Sequence, residues 1–343
     1  MIRCLEVRGT RYEMGAAIGK EFSAHLKKRT AEYAEALAAP EAQAFLAAVK
    51  PAIRAASEGC WEELRGRADG AGVDFDALLL LMSPEYFARV DGCTTVYVKD
   101  GRGKVKFSHN EDNTGYTDDT VALVKYVSGD RWVVSYTMAE RLAGCAFSWN
   151  SSGMIFSTNY IVPDTHDLRN PSRYFLIRDI IESTSMAEAL DRVTRFPTAS
   201  PFSLNVVDTK ADRAVNCEKD VSTVYVRELR DRYARANHFI LKQGSIRTTD
   251  SSVFRQEKIT ELVGKLDLEN VTSHDLVEAL SYREPDIGRC IYKDFSTFFP
   301  AGKSTTVANF AYDNATGLLT VRDYITGDAV TWTWNGFTPH RAD

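Results

Sequence analysis

The sequence predicts an α+β fold in which two mainly antiparallel β-sheets pack together with helices outside them. Two observations lead to this prediction. The first 92 residues are mostly helical in pattern, whereas short β-rich segments separated by turn residues follow from Thr94 onward. Pairs of helical stretches then interrupt the later strands, which is typical of helices that cover a sheet.

Apolar spacing predicts helices over residues 10–82. An apolar residue recurs every four positions over residues 14–26, and a second apolar stripe with a spacing of three and four runs over residues 46–64. Pro51 lies within the second stripe and is expected to kink or break its helix, because proline lacks the amide hydrogen that the helix uses. Later helices are predicted at residues 171–194, 251–264 and 273–282.

Segments rich in β-branched and aromatic residues, separated by turn formers such as Asp100-Gly101, predict the strands. The only boundary in composition falls near residue 90, which divides the chain into residues 1–92 and 93–343. The predicted strands cover residues 94–98, 105–108, 121–127, 132–138, 146–149, 154–158, 204–207, 214–216, 223–226, 305–312, 318–323 and 329–334.

Composition narrows the functional classes. The 343 residues include 42 Lys and Arg against 47 Asp and Glu, with no basic block, so nucleic-acid binding has little support. No apolar run approaches the ~20 residues of a membrane span, and the first residues lack the apolar stretch of a secretion signal, so a cytoplasmic location is expected. The six cysteines show no C-x-x-C spacing, and neither a metal nor a bound cofactor is expected.

The Gly92-Cys93 junction is the most informative feature, because it coincides with the boundary between the helical and the β-rich parts. A cut between the two residues would leave the Cys93 thiol beside its own α-amine. The reference pKa is ~7.7–8.0 for an α-amine and ~8.5 for a thiol, so one residue could supply both nucleophile and general base. The alternative is that Cys93 is a small buried apolar residue at the start of a strand.

The run Ser108-His109-Asn110-Glu111-Asp112 gives this cysteine a context. If residues 94–98 and 105–108 form a hairpin, Asp112 returns near the start of the first strand and could accept a hydrogen bond from the Cys93 α-ammonium. Glu111 is expected to face solvent. His109 or His238 would be the base in an alternative cysteine–histidine dyad that needs no chain cleavage.

Several motifs follow one another over nearly the full length: Gly9-Thr10-Arg11-Tyr12-Glu13-Met14-Gly15, Glu63-Leu64-Arg65-Gly66 with Ala68-Asp69-Gly70-Ala71-Gly72-Val73, Asp91-Gly92-Cys93-Thr94-Thr95, Asn110-Glu111-Asp112, Asn150-Ser151-Ser152-Gly153 leading to Asn159, and Arg235-Ala236-Asn237-His238-Phe239. In this order they resemble the acyl-coenzyme A:isopenicillin N acyltransferase family and, more distantly, bile-salt and penicillin V hydrolases. The resemblance implies an N-terminal nucleophile hydrolase with a four-layer αββα sandwich.

The same resemblance implies roles for individual residues. Cys93 is the implied nucleophile and Asp112 the partner of its amine. Asn237 would donate its side-chain amide to the oxyanion that develops during acyl transfer. Asn159 would be a second polar group near the site, and Arg255 would support it.

The predicted function is a self-cleaving precursor whose Cys93 breaks a small-molecule amide through a thioester acyl-enzyme. The pro-segment of residues 1–92 is expected to stay associated with residues 93–343. A coenzyme A thioester as acyl donor would make the protein an acyltransferase, and a non-catalytic binding protein of the same fold is the third alternative. The sequence leaves a homo-oligomer open. Many relatives carry an aromatic residue where this chain has Asn113, so the floor of the substrate pocket is expected to differ.

Overall fold

The computed structural model describes residues 2–87, 92–164, 166–244 and 246–334. Apart from one short strand, the elements before residue 88 are helices, and strands predominate from Gly92 onward, much as the sequence predicts. The helices are α1 Arg11–Glu21, α2 Ser23–Glu32, α3 Ala34–Ala38, α4 Pro40–Ala56, α5 Glu58–Ala71, α6 Phe75–Leu81, α7 Arg173–Ile180, α8 Met186–Thr194, α9 Asp250–Gly264, α10 Ser273–Leu280 and α11 Phe295–Phe298. The strands are β1 Cys4–Arg8, β2 Gly92–Lys99, β3 Val105–Asn113, β4 Val121–Ser128, β5 Arg131–Met138, β6 Phe147–Asn150, β7 Met154–Tyr160, β8 Phe202–Asp208, β9 Arg213–Lys219, β10 Val224–Leu229, β11 Arg232–Arg235, β12 Thr305–Asp313, β13 Leu318–Asp323 and β14 Asp328–Thr333.

Two sheets confirm the predicted α+β architecture. An eight-stranded sheet has the order β1-β4-β5-β6-β7-β8-β9-β10, and a six-stranded sheet has the order β11-β2-β3-β12-β13-β14. Neighbouring strands are antiparallel except β1 and β4, which are parallel. The hairpin of β2 and β3 lies near the centre of the six-stranded sheet and brings the Gly92-Cys93 junction into it.

The two sheets pack face to face through aromatic side chains. Phe147 of the larger sheet stacks on Phe310 of the smaller one, with ring centroids 5.1 Å apart. Successive residues of a strand face opposite sides, so Tyr97 joins this central core whereas Val96 packs against α9 and α10 on the outside. On the far side of the larger sheet, Arg178 of α7 lies over the Tyr126 ring of β4 at 4.7 Å. The four layers are therefore helix, sheet, sheet and helix.

The glycines of two family-like motifs bring α1 and α5 into backbone contact. A Cβ atom added at Gly15 would lie 2.0 Å from the Glu63 carbonyl oxygen, and one added at Gly66 would lie 2.0 Å from the Tyr12 carbonyl oxygen. Any larger residue at either position would separate the helices. Close packing therefore explains why these motifs contain glycine.

Several predicted element boundaries are wrong. The helix that contains Pro51 continues through it to Ala56, and the break comes at Ser57, which caps the next helix. The helical stretch at residues 171–194 is two helices. Strands β1 and β11 were not predicted, because both are short and carry charged residues.

The first 87 residues are tied to the remainder by both a strand and buried ion pairs. Strand β1 forms the edge of the larger sheet next to β4. Glu63 accepts a hydrogen bond from Arg178 Nε at 2.8 Å, and both side chains are fully buried. Glu85 lies 3.1 Å from Arg173 Nη1, again in a buried position.

Among the described residues, none of the helices is long and apolar enough to cross a bilayer.

Candidate active site

Cys93 lies at the start of β2 and is only 2% exposed. Its thiol donates to the Thr158 carbonyl oxygen at 3.5 Å and accepts from Asn237 Nδ2 at 3.3 Å. The side chain faces the space between the sheets, on the same side of β2 as Thr95. The structure thus brings Cys93 and Asn237 together although 144 residues separate them.

The side chain of Asn237 is held at both ends. Its Nδ2 donates to the Tyr160 carbonyl oxygen at 2.9 Å as well as to the Cys93 sulfur. Its Oδ1 accepts from the Cys93 amide at 3.2 Å and from Arg255 Nη2 at 2.6 Å. Because both amide hydrogens and both oxygen lone pairs are used, the donor that faces the sulfur is fixed in place.

Arg255 links the nucleophile to the amide donor. It extends from α9, is 3% exposed, and donates from Nη1 to the Cys93 carbonyl oxygen at 2.9 Å and to Thr94 Oγ1 at 3.0 Å. Burial lowers the pKa of Arg255, and the nearby Asp112 and Cys93 oppose that effect. Arg255 is therefore a buried side chain in contact with Cys93 and Thr94, and not an exposed charge on the helix.

Ser252, one turn before Arg255 on α9, holds the backbone of the same segment. Its hydroxyl accepts from the Asn237 amide at 2.8 Å and also lies 2.8 Å from His238 Nδ1. Sequence reasoning missed Ser252. Its spacing of three from Arg255 places both residues on one face of the helix and is the signal that could have found it.

Asp112 lies beside the predicted cleavage junction. It is paired with Gly92 across the β2–β3 ladder, accepts from Thr306 Oγ1 at 2.7 Å and lies 2.9 Å from Lys293 Nζ. The register of β12 shifts between Thr306 and Ala308, a bulge that lies opposite Asp112. Lys293 and Thr306 were not predicted, and no pattern in the sequence points to Lys293.

Glu111 does not face solvent, so that expectation is wrong. It is 2% exposed and directly opposite Cys93 in the ladder, on the same face of the sheet. Its two carboxylate oxygens lie 3.3 Å from Asn113 Nδ2 and 3.3 Å from His109 Nε2. The error arose because β3 runs to Asn113, five residues beyond the predicted end of that strand.

The electrostatics of the pocket keep the uncleaved thiol protonated. Burial raises the pKa of the Cys93 thiol far above its usual value, and the Glu111 carboxylate raises it further. The hydrogen bond from Asn237 has the opposite effect but is the smaller contribution. A free thiolate is therefore disfavoured at neutral pH, and a base must take the proton during attack.

The histidines suit that task poorly. Burial lowers the pKa of His109 to about 3, so its ring is neutral at pH 7 and weakly basic. Its Nδ1 lies 2.8 Å from Thr95 Oγ1, and its Nε2 faces Glu111. His238 instead contacts Ser252. Neither arrangement favours the cysteine–histidine dyad.

Asn159 of β7 lies between the two sheets, where it contacts Thr95 of β2 and Asn205 of β8. Its Oδ1 accepts from Thr95 Oγ1 at 2.8 Å and from Asn205 Nδ2 at 3.0 Å, while its buried Nδ2 has no hydrogen-bond partner among the described residues. The residue is thus near the site through Thr95 and is not in hydrogen-bond contact with the cysteine. A buried donor of this kind is available to a group that enters the site.

Three side chains at the centre offer atoms that a metal ion could use. The Cys93 sulfur, a His109 ring nitrogen and a Glu111 carboxylate oxygen lie within 4.8 Å of one another. A metal there would bind the same sulfur that the predicted chemistry uses as nucleophile. The prediction that no metal takes part remains a prediction.

A pocket of about 730 Å³ lies between α2 of the N-terminal part and the loop after β3, and Asn113 and Arg141 are among its lining residues. Asn113 Nδ2 is 3.3 Å from Glu111, the carboxylate opposite Cys93. The residue that departs from the pattern of the resembling family therefore both lines this pocket and contacts Glu111.

The fold and the site define a two-sheet α+β protein with a buried cysteine, an amide donor and an arginine at one end of a central strand. The family model described as acyl-coenzyme A:6-aminopenicillanic acid acyl-transferase matches residues 98–321, and the chain belongs to this family. The matched region begins after Cys93 and includes Asp112, Asn159, Asn237 and Arg255.

The sequence identity to individual members and to solved structures is low. The β-alanyl-dopamine/carcinine hydrolase of Drosophila melanogaster is 24% identical over 214 residues, which cover 54% of this chain. The match spans about half of that relative, 55% of its length. Among solved structures, a mutant of the conjugated bile acid hydrolase from Clostridium perfringens has a TM-score of 0.47 at 10% identity and covers 73% of this chain and 97% of its own. Penicillin V acylase from Agrobacterium tumefaciens has a TM-score of 0.46 at 9% identity and covers 71% and 86%.

Proposed function

We propose that this protein is a self-processing N-terminal cysteine hydrolase that cleaves small-molecule amides. The observation that carries the proposal is the fixed amide of Asn237, which donates to the Cys93 sulfur at 3.3 Å while Arg255 holds both residues. A donor fixed beside a nucleophile can stabilise the oxyanion that forms when the nucleophile attacks a carbonyl, without reorganisation during the reaction.

The first reaction would be cleavage of the chain itself. The Cys93 sulfur adds to the Gly92 carbonyl carbon, the bond from that carbon to the Cys93 nitrogen breaks, and the thiol proton ends on the new amine. Water then hydrolyses the thioester, which leaves a Gly92 carboxylate and restores the thiol. Gly92 suits this step, because an added Cβ would lie 3.1 Å from Asp112 Oδ2 and 3.4 Å from Lys293 Nζ.

Turnover would use the same sulfur with the freed α-amine as base. The amine takes the thiol proton, the sulfur attacks the amide carbonyl, and Asn237 donates to the oxyanion. The leaving amine takes up the proton, and water hydrolyses the thioester to release the acid. Asp112, which lies beside residue 92, would accept a hydrogen bond from the α-ammonium form of Cys93.

The two products of cleavage would remain one particle. Arg11 of α1 lies 3.2 Å from Asp179 and 2.8 Å from Glu182, and these pairs add to the buried contacts of Glu63 and Glu85 across the predicted boundary. Each of these pairs joins a side chain before residue 92 to one after it, so all of them would have to break for the two products to separate.

The substrate proposal starts from the relative named β-alanyl-dopamine/carcinine hydrolase, because β-alanyl-dopamine is an amide of β-alanine. Amides of β-alanine are therefore the first substrates to test. The family description, which names an acyl transfer from coenzyme A, favours a second candidate function. In that reaction a coenzyme A thioester acylates Cys93 and an amine resolves the acyl-enzyme.

Intact mass and a denaturing gel test the proposal. Wild-type protein should convert one band of 38.3 kDa into fragments of about 10 and 28 kDa, in proportion to a cut after residue 92. Cys93→Ala should remain whole and inactive. Cys217→Ala is the matched control, because Cys217 is equally buried but lies on β9 outside the site, and this variant should be processed and active.

Trapping gives the sharper result. A slow amide substrate should leave its acyl group on residue 93, and mass spectrometry of the digested protein would locate it. An acyl group on any other residue, or normal turnover by Cys93→Ala, would refute the assignment. Formation of an N-acyl product only when a coenzyme A thioester is supplied would select the acyltransferase.

A further inference from the structure

We propose that Lys293 is a positioning residue that acts through Asp112: it offsets the Asp112 carboxylate, so that the α-amine freed at Cys93 can serve as a base near neutral pH. The inference rests on the proposed function, because this amine exists only after self-cleavage. Lys293 Nζ lies 2.9 Å from Asp112 Oδ2, and the lysine side chain is only 9% exposed. The ammonium group is therefore a near neighbour of the carboxylate in a largely buried position.

The backbone of Lys293 is fixed beside Asp112 through Thr306 of β12. The Lys293 amide donates to Thr306 Oγ1 at 2.9 Å, and the Thr306 amide donates to the Lys293 carbonyl oxygen at 2.9 Å. Thr306 Oγ1 in turn donates to Asp112 Oδ1 at 2.7 Å. Each oxygen of Asp112 thus has a donor, and the carboxylate is partly compensated before the chain is cut.

The new amine would form next to both charges. Gly92 pairs with Asp112 across the β2–β3 ladder, and a Cβ atom added at Gly92 would lie 3.1 Å from Asp112 Oδ2 and 3.4 Å from Lys293 Nζ. The nitrogen that becomes the amine is bonded to Gly92, and it already donates to Asn237 Oδ1 at 3.2 Å. Lys293 would also face the carboxylate that cleavage leaves at Gly92.

A cation at this position decides whether the amine can act as a base. An α-amine has a reference pKa of ~7.7–8.0, so a useful fraction is unprotonated near neutral pH. A carboxylate within a few ångströms favours the ammonium form and would raise that pKa by about 1–3 units. Lys293 opposes this rise, because its charge disfavours a second ammonium group. Asp112 can therefore orient the amine without keeping it protonated.

The other charged or titratable groups around Cys93 are untouched by a change at Lys293. They are Glu111 opposite Cys93 in the ladder, Arg255 of α9, His109 of β3, which is neutral at pH 7 because burial lowers its pKa to about 3, His238 beside Ser252, and the buried pair of Arg235 and Glu218. A difference in the amine between wild type and a Lys293 variant therefore reports the charge of Lys293.

Nitrogen NMR measures the amine directly. The chain has six cysteines, and processed protein grown with nitrogen-15 labelled cysteine would carry one labelled α-amine, because only Cys93 becomes a chain terminus. The chemical shift of this nitrogen as a function of pH gives the pKa of the amine. Wild type is expected at or below ~8, and Lys293→Met should be higher by about one unit or more. Asp112→Asn should be lower than wild type, and Lys293→Arg should stay close to it.

The pH dependence of turnover should follow the amine. The acidic limb of kcat/KM reports the base of the free enzyme, and it is measured with the p-nitroanilide of β-alanine. In Lys293→Met this limb should move to higher pH by the same amount as the amine, so that kcat/KM at pH 7 falls about tenfold and recovers as the pH rises. A merely structural change would lower the rate by the same factor at every pH.

Lys106→Met is the matched control. Lys106 is also a buried lysine, with Nζ 2.9 Å from Asp100 and 2.9 Å from Asp313, but it lies at the end of β3 away from Asp112. This variant should leave the pKa of the Cys93 amine and the acidic limb unchanged. A shift as large as that in Lys293→Met would overturn the role assigned to the contact with Asp112.

Three further results would overturn the inference: an amine pKa in Lys293→Met equal to that of wild type, a wild-type value above about 9, or a rise in Asp112→Asn. If Lys293→Met stays uncut, the values for wild type and Asp112→Asn decide. Wild type that shows neither the α-amine signal nor an acyl group at Cys93 would overturn the proposed function, and the inference with it. Cleaved and acylated wild type, with an unmoved acidic limb in Lys293→Met, overturns the inference alone.

Discussion

Replacing Asn237 by alanine is the most decisive single change to the site. The side chain makes four hydrogen bonds, and the one to the Cys93 sulfur places a donor where an oxyanion would form. Losing one such donor typically lowers kcat by about 100- to 1000-fold, equivalent to ~3–4 kcal/mol of barrier. KM should change by less than about threefold, because the interaction strengthens only in the transition state.

The same substitution also has a cost in stability. Arg255 Nη2 loses its acceptor at 2.6 Å in a buried position, and an unsatisfied buried group typically costs about 1–3 kcal/mol. Asn237→Asp keeps that acceptor but replaces the donor by oxygen. It should therefore lose activity without losing the contact to Arg255.

The assay measures kcat and KM on material whose cleavage after residue 92 is complete by mass, because Asn237 touches Cys93 before processing as well. Asn150→Ala is the matched control. Asn150 is also buried, and its side-chain Nδ2 donates to the backbone carbonyl oxygens of Ile181 and Ser183. It lies at the turn of the β6–β7 hairpin, whereas Thr158, which contacts Cys93, lies toward the other end of β7. A variant Asn237→Ala with kcat within about threefold of wild type and a raised KM would refute the oxyanion role.

Three further changes test the surrounding structure. Gly92→Ala should slow self-cleavage, because the added methyl group would crowd Asp112, and uncut protein should be visible on a gel. The kcat of the cut protein should not change, and cleavage at the wild-type rate would contradict this prediction. Arg255→Lys should lower kcat by about 10- to 100-fold, because the lysine ammonium lacks the planar fork through which Arg255 reaches Cys93, Thr94 and Asn237; full activity would remove the positioning role. Burial opposes ionisation of Glu140, but hydrogen bonds from His25 and Arg29 prevail and lower its pKa to about 2 from the usual 4.5. The stability from this carboxylate is therefore present above pH 4.5 and lost as the pH falls toward 2, and denaturant titrations of Glu140→Gln should show a smaller loss over that range.

The residues that the sequence analysis assigned to the site lie close together in the structure, whereas several of their neighbours were not predicted. Cys93 and Asn237 were chosen from motifs, and the structure brings them to 3.3 Å. Arg255 matched a family position only loosely, yet it contacts both. Glu111 was wrongly predicted to face solvent, because β3 continues to Asn113 and so buries residues that the sequence analysis placed in a turn. Lys293 could not be found from sequence, because only the pairing of its segment with Thr306 places its ammonium group beside Asp112.

Local pattern by itself determined that the first part of this chain is mainly helical, that antiparallel strands follow, and that a glycine–cysteine junction lies where the two meet. These properties depend on neighbouring residues, whose periodicity and turn chemistry act over a few positions. Only the tertiary structure decided which face of β2 the sulfur occupies, which distant amide and guanidinium reach it, and that a carboxylate lies across from it. Those relations arise from strand register and from helix packing across the sheet, where residues far apart in the chain become neighbours.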